Sequence, residues 1–254
     1  MVVSCFAAEI SAATLVAVVS ERNSADLAQA ARDLKERLPH HRLIFRTTAQ
    51  VDALSDAQLQ ELIGEADALL LATVFKETAQ RIQAQLPATR AREIISVSGD
   101  PALGRQSRWR GKRLFVEEDP RYAELSSLTA EKDASAEAVA ASVRRHPQLT
   151  PWIQARAYWQ NRGAPNLTSL LALMLSEQDR AAAAAIKPVE DALPMRFHYR
   201  GEWSTAERFR ISGNRRVIAV LEDQHADLTL SEAICRSLSS RELDCLTVLA
   251  GWGK

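Results

Sequence analysis

Apolar residues fall along this chain in short unbroken runs that alternate with stretches of helical spacing. Thr14-Leu15-Val16-Ala17-Val18-Val19 is such a run, rich in β-branched residues, as expected of a strand covered on both faces. After it Leu27, Ala30, Ala31, Leu34 and Leu38 recur at the spacing of one helix face, with Ser24 placed to cap that helix and Pro39 to stop it. The alternation continues: Arg42 to Arg46, Leu69 to Val74 and Glu93 to Ser98 read as strands. Ser55 opens a helix through Leu59, Leu62 and Ile63, and Thr78 to Leu86 is another. Parallel neighbours need crossover connections, so this order predicts an α/β domain with a doubly wound parallel sheet over residues 1–120. Asp100 to Gly104 reads as a turn.

From about Tyr122 to Pro194 the spacing becomes helical, which predicts a helical segment over residues 121–195. Ala134 to Val143 and Thr168 to Ala185 are its main helices, with Asp133, Ser135 and Thr150 near predicted starts and Pro147 and Pro151 bracketing a joint. The Ala181 to Ala185 run is read as helix because alanine is the strongest helix former. Beyond it Arg215 to Leu221 reads as a buried strand, Leu230 to Leu238 as a helix and Leu246 to Gly251 as a second strand. These predict the start of a second α/β domain over residues 196–254. The pattern stops at Lys254 straight after a strand, so the expectation is an N-terminal part of a longer polypeptide.

Charge removes one class of partner. Lys plus Arg and Asp plus Glu both number 32, so no net field draws nucleic acid. No run approaches the roughly 20 apolar residues of a transmembrane helix. Cys5, Cys235 and Cys245 lack metal-knuckle spacing; the last two read as small buried residues, with a disulfide between them left open. Met1 to Ala8 looks like the tail of a secretory h-region without its basic start, and Val2-Val3-Ser4-Cys5 resembles a lipoprotein box. Two localisations stay open: cytoplasmic if Met1 is the true start, periplasmic if a signal begins upstream of it.

In a doubly wound sheet ligands sit outside the carboxyl ends of the strands, which here carry Ser20 to Asn23, Thr47-Thr48, Thr73 to Lys76 and Ser98 to Asp100. No GxGxxG follows the first strand and no Walker lysine loop occurs, so a nucleotide site has little support. Aromatic residues are 6% of the chain, yet Trp152, Tyr158, Trp159, Phe197, Tyr199 and Trp203 gather in its second half. Core packing and a flat ligand both use such residues.

The segment Tyr158-Trp159-Gln160-Asn161-Arg162-Gly163-Ala164-Pro165-Asn166-Leu167, running into Leu170, Leu171, Leu173, Met174 and Leu175, joins an aromatic pair to a Gly/Pro/Asn break and a restarted helix. Asn166 or Thr168 is placed to cap that restart. The segment resembles the signature of the large subunits of cobaltochelatase (CobN) and magnesium chelatase. Leu193-Pro194-Met195-Arg196-Phe197-His198-Tyr199 looks like that family's Pro-rich link into an aromatic-His segment, and Ala66 to Thr73 resembles its early strand. Ala164 stands where the family usually repeats Gly, and Tyr199 where it usually has Pro after His, which puts ligand contacts at those two positions in doubt.

The resemblance implies a tetrapyrrole-binding component of ATP-dependent metal insertion. For the cobalt branch the substrates are hydrogenobyrinic acid a,c-diamide and Co2+, on the route to cobalamin; for the magnesium branch they are protoporphyrin IX and Mg2+. Separate AAA+ type subunits hydrolyse the ATP, no cofactor is held tightly, and this chain alone is expected to insert no metal. The implied ring contacts are His198, Tyr158, Trp159 and Asn166. Insertion also needs proton acceptors, and of the five histidines His198 lies in the family-like segment. His225 with Asp223 and Asp227 follows a predicted strand, where carboxylates beside an imidazole can receive a divalent ion. His40, His41 and His146 read as turn or corner residues. The competing reading is an exported module that binds a tetrapyrrole or metallophore without turnover.

Overall fold

The computed structural model describes residues 12–21, 24–116, 118–127, 135–191, 195–211, 213, 216–223, 228–239 and 241–250. The chain divides into two compact units, Met1–Glu190 and Asp191–Lys254.

The first unit alternates β1 (Thr14–Val19), α1 (Ser24–Arg37), β2 (Arg42–Thr47), α2 (Thr48–Asp52), α3 (Asp56–Gly64), β3 (Ala68–Ala72), α4 (Lys76–Gln85) and β4 (Glu93–Val97). A one-turn α5 (Pro101–Gly104) and the short strands β5 (Arg108–Trp109) and β6 (Lys112–Arg113) follow. The sheet order is β2-β1-β3-β4-β5-β6, parallel across the first four strands and antiparallel at β5 and β6. The expected α/β architecture is present. Because side chains alternate across a strand, Leu15, Ala17, Val19, Leu70, Ile95 and Val97 enter one core, while Val16, Val18, Leu69, Leu71 and Ile94 enter the other. Both faces are covered, which is why these strands read as unbroken apolar runs.

Among the described residues the α-helices that follow are α6 (Pro120–Ser127), α7 (Ala136–Arg145), α8 (Thr150–Asn161), α9 (Gly163–Leu175) and α10 (Arg180–Ala185). They do not stand apart as the separate segment read over residues 121–195. Trp152, Ala155, Leu170 and Met174, from α8 and α9, share one core with β1, β3, β4 and α1. The division of the chain therefore falls at Glu190, after these helices have covered their face of the sheet.

Local chemistry explains where the element boundaries differ from the sequence reading. Ser55 makes a capping box with Gln58, as expected, and Ser135 accepts from Ala138 N–H at the start of α7. Thr150 is the first residue of α8 rather than its cap, its hydroxyl bonding the Pro147 carbonyl at 2.7 Å. Asp100 caps a short helix where a turn was expected, with Pro101 pre-set for the first helical position. The helix expected from Thr168 to Ala185 breaks at Ser176, because Asp179 takes the Ala181 N–H at 2.7 Å and starts α10 anew.

The second unit contains β7 (Arg196–Tyr199), β8 (Glu202–Thr205), β9 (Val217–Asp223), α11 (Thr229–Ser239) and β10 (Asp244–Ala250). Its sheet order is β8-β7-β10-β9, with β9 and β10 parallel and the rest antiparallel. Tyr199, Leu246 and Val248 form a small core with Phe197 and Phe209. Cys235 of α11 and Cys245 of β10 are joined by a disulfide, their Cα atoms 5.2 Å apart. The strand read as buried, β9, is the edge of this sheet, and Ile218 and Leu221 are 40% and 67% exposed. Among the described residues no helix is long and apolar enough to cross a membrane.

Candidate functional site

The signature residues of α8 and α9 are core residues. Tyr158 and Trp159 are 1% and 3% exposed. The chain reverses between the helices through Arg162 and Gly163, both at positive φ, so the glycine meets a backbone requirement. Asn166 is buried in the first turn of α9 and caps nothing, a correction to the sequence reading. Its amide carries the same donor and acceptor pair as a peptide and uses both on Glu190. Nδ2 donates to the Glu190 carbonyl at 2.8 Å, and Oδ1 accepts the Glu190 N–H at 2.9 Å. The Tyr158 hydroxyl donates to the Lys187 carbonyl, and Ser169 Oγ accepts the Lys187 N–H at 3.3 Å. Burial raises the Tyr158 pKa, which keeps the phenol protonated as that donor requires. Three polar side chains thus tie down one strap, residues 186–190.

A groove of about 560 Å3 runs between this strap and α7. Val139, Ala140 and Val143 line one side, Ile186, Pro188 and Val189 the other, and Tyr158 also contributes to it. Arg144 and Lys187 are its cationic members. Its lining is mostly apolar with a few polar groups, the composition of a small-molecule site. Sequence reasoning named Tyr158 but missed the groove, because its walls lie about 45 residues apart along the chain and come together only in the folded core that Val139 and Val189 share.

His198 is placed elsewhere, in the β7–β8 hairpin of the second unit. It stacks on its cross-strand partner Trp203 with ring centroids 4.7 Å apart, and the Arg196 guanidinium lies 5.3 Å from the Trp203 ring. Trp203 is 45% exposed. Asp223 ends β9, while His225 and Asp227 lie outside the described residues.

The rim of the first sheet carries strain and a filled helix terminus. Thr73, Lys76 and Ser98 take positive φ at the carboxyl ends of β3 and β4. A Cβ at Gly99 would meet the Val74 carbonyl oxygen at 2.7 Å. The start of α2 is occupied by the chain's own carboxylate: Glu21 accepts from Ala49 N–H at 2.7 Å and from the Thr48 hydroxyl at 3.0 Å. The Ala49 amide holds the Glu21 pKa below its ordinary value. An external phosphate would have to displace that anion.

His40 and His41, expected as exposed turn residues, converge instead on Asp179. Each Nε2 lies 3.0 Å from the same carboxylate oxygen, and His41 is 1% exposed. Three ligand-type atoms at this spacing resemble a metal site. The hydrogen bonding decides against it. Ala13 N–H donates to His41 Nδ1 at 3.1 Å, so the ring proton sits on Nε2 and points at Asp179. Metal ligation through Nε2 would move that proton onto Nδ1, against a backbone N–H. His41 is therefore held as the neutral Nε2–H tautomer, donating to Asp179. His41 and Asp179 lie 138 residues apart, and neither local sequence carries a sign of the other.

No family model matches the chain, and no curated protein matches it either.

Proposed function

We infer that the chain is a tetrapyrrole-binding component of a cobaltochelatase-like system, and that the groove between α7 and the 186–190 strap receives the ring. One observation carries the reading: the residues that resemble the chelatase signature, Tyr158 and Asn166, hold the wall of an apolar groove with cationic members. In this reading the signature positions the strap, and the apolar side chains of α7 and the strap meet the macrocycle. Arg144 and Lys187 pair with its acidic or amide substituents. Among the described residues the groove lining contains no histidine or carboxylate to take the pyrrole protons. Deprotonation and delivery of Co2+, the substrate metal, then fall to other parts of the machinery, and ATP hydrolysis to AAA+ partner subunits.

Titration of the chain with hydrogenobyrinic acid a,c-diamide, followed by the ring's absorption, tests this. Saturable binding weaker than micromolar, about −5 to −7 kcal/mol, is expected, with no metal inserted in the absence of partner subunits. Absence of binding up to millimolar ring overturns the assignment. Metal insertion by the chain alone overturns the division of labour.

A second reading has its own observation. The Cys235–Cys245 disulfide belongs to oxidising compartments, which supports an exported module that binds a tetrapyrrole or metallophore without turnover. Alkylation and mass measurement of the protein taken directly from its source cells separates the two. Blocked cysteines favour export, and two free thiols favour the cytoplasm.

A further inference from the structure

We propose that β9 is a pairing edge through which two copies of this chain associate, antiparallel about Ala219. The inference is independent of the groove. β9 has one neighbour, β10, and among the described residues no strand lies on its other side. Edge strands of natural proteins are normally blunted by lysine, proline or a bulge. The Val217-Ile218-Ala219-Val220-Leu221 stretch has neither lysine nor proline, and its ladder to β10 runs without a slip from Val217 to Asp223.

The ladder fixes which backbone groups are on offer. Asp244 N–H donates to the Arg216 carbonyl, and Val217 is the register partner of Asp244. In a parallel ladder this turns residues 216, 218, 220 and 222 toward β10 and leaves the N–H and C=O groups of Val217, Ala219 and Leu221 facing outward. A two-fold axis at Ala219 sets Val217 opposite Leu221 of the second copy and Ala219 opposite itself. Each of these is a hydrogen-bonded pair of outward-facing residues, so the register satisfies the outward groups in both copies. The alternate positions are then non-hydrogen-bonded pairs, where side chains approach most closely.

Charge selects the occupant. Ile218 falls opposite Val220, and Arg216 falls opposite Glu222, so the strand is apolar at its centre and oppositely charged at its two ends. An antiparallel copy of the same strand matches that pattern at both ends, whereas an unrelated strand has no reason to. The same pairing sets Val220 and Val217 of the second copy beside Ile218 and Leu221, which are 40% and 67% exposed. A single strand pair is a small interface, so the association is weak and concentration-dependent.

Sedimentation equilibrium of the full chain from about 1 to about 200 μM tests the proposal. The expected result is a rise from 28.1 kDa toward twice that mass. Ala219→Pro removes only an outward donor, leaving the β10 ladder intact, and should return the chain to monomer. Arg216→Glu or Glu222→Arg should each weaken association roughly tenfold by placing like charges opposite one another. The double variant R216E/E222R should restore it. A constant 28.1 kDa overturns the proposal, as does a dimer indifferent to Ala219→Pro or a double variant that fails to recover.

Discussion

His41 shows how one residue is set by its contacts rather than by its neighbours in sequence. Burial lowers its pKa, and the hydrogen bond from its ring to Asp179 only partly opposes that. The unfolded chain therefore takes up a proton on His41 first as the medium is acidified. This contribution to stability is whole above about pH 6.5, the ordinary imidazole value, and is lost as pH falls through the window beneath it. Burial pushes the Asp179 carboxyl up, but the Ala181 N–H and the two imidazoles outweigh that and hold it below its ordinary value. Its contribution is lost only in stronger acid. Urea midpoints measured between about pH 7 and pH 5 should fall in the native chain. In His41→Asn, whose Oδ1 still accepts the Ala13 N–H but cannot titrate, the midpoint should start lower and vary less with pH. Equal pH dependence in the two proteins would remove His41 from the account.

At the scale of elements, the parallel strands β1, β3 and β4 were legible because burial on both faces writes an unbroken apolar run. The same signal misled at β9, where Val217 to Leu221 is equally apolar but lies at a sheet edge. An apolar run records what a strand tolerates, and the neighbour that covers it is a separate fact. Helix starts such as Ser55 were legible because a cap is local. The break at Asp179 and the role of Asn166 were not, since each depends on a backbone group it meets only after folding. The disulfide belongs to this scale too. It ties α11 to β10 across 10 residues. In the chain-entropy model a loop of that length is worth about 2–3 kcal/mol. Cys235→Ser combined with Cys245→Ser should lower the stability of the second unit by about that amount. The transition of the first unit, followed by near-ultraviolet dichroism of Trp152 and Trp159, should not move. A shift in both transitions would show that the two units unfold together.

For the whole molecule, the residues that resemble the chelatase signature and the groove proposed to receive a ring overlap at Tyr158 alone. Sequence resemblance located Tyr158 and Asn166 but could not say that both bond to a strap; those bonds tie residues 186–190 to α8 and α9, and the strap forms one wall of the groove. Removing the Asn166 amide should therefore cost about 1–2 kcal/mol of stability and weaken ring binding indirectly, because two backbone hydrogen bonds at Glu190 are lost. Filling the groove should abolish binding directly, without the cost in stability. Ala140 is an exposed residue of α7 that lines the groove, so Ala140→Trp blocks the site while leaving the core untouched. The most direct test titrates hydrogenobyrinic acid a,c-diamide into Ala140→Trp and Trp203→Ala side by side, with urea unfolding of each. The account predicts that Ala140→Trp loses binding at least about tenfold with stability unchanged, and that Trp203→Ala binds as the native chain does. Native binding by Ala140→Trp together with its loss in Trp203→Ala would contradict the account and move the ring to the His198–Trp203 hairpin.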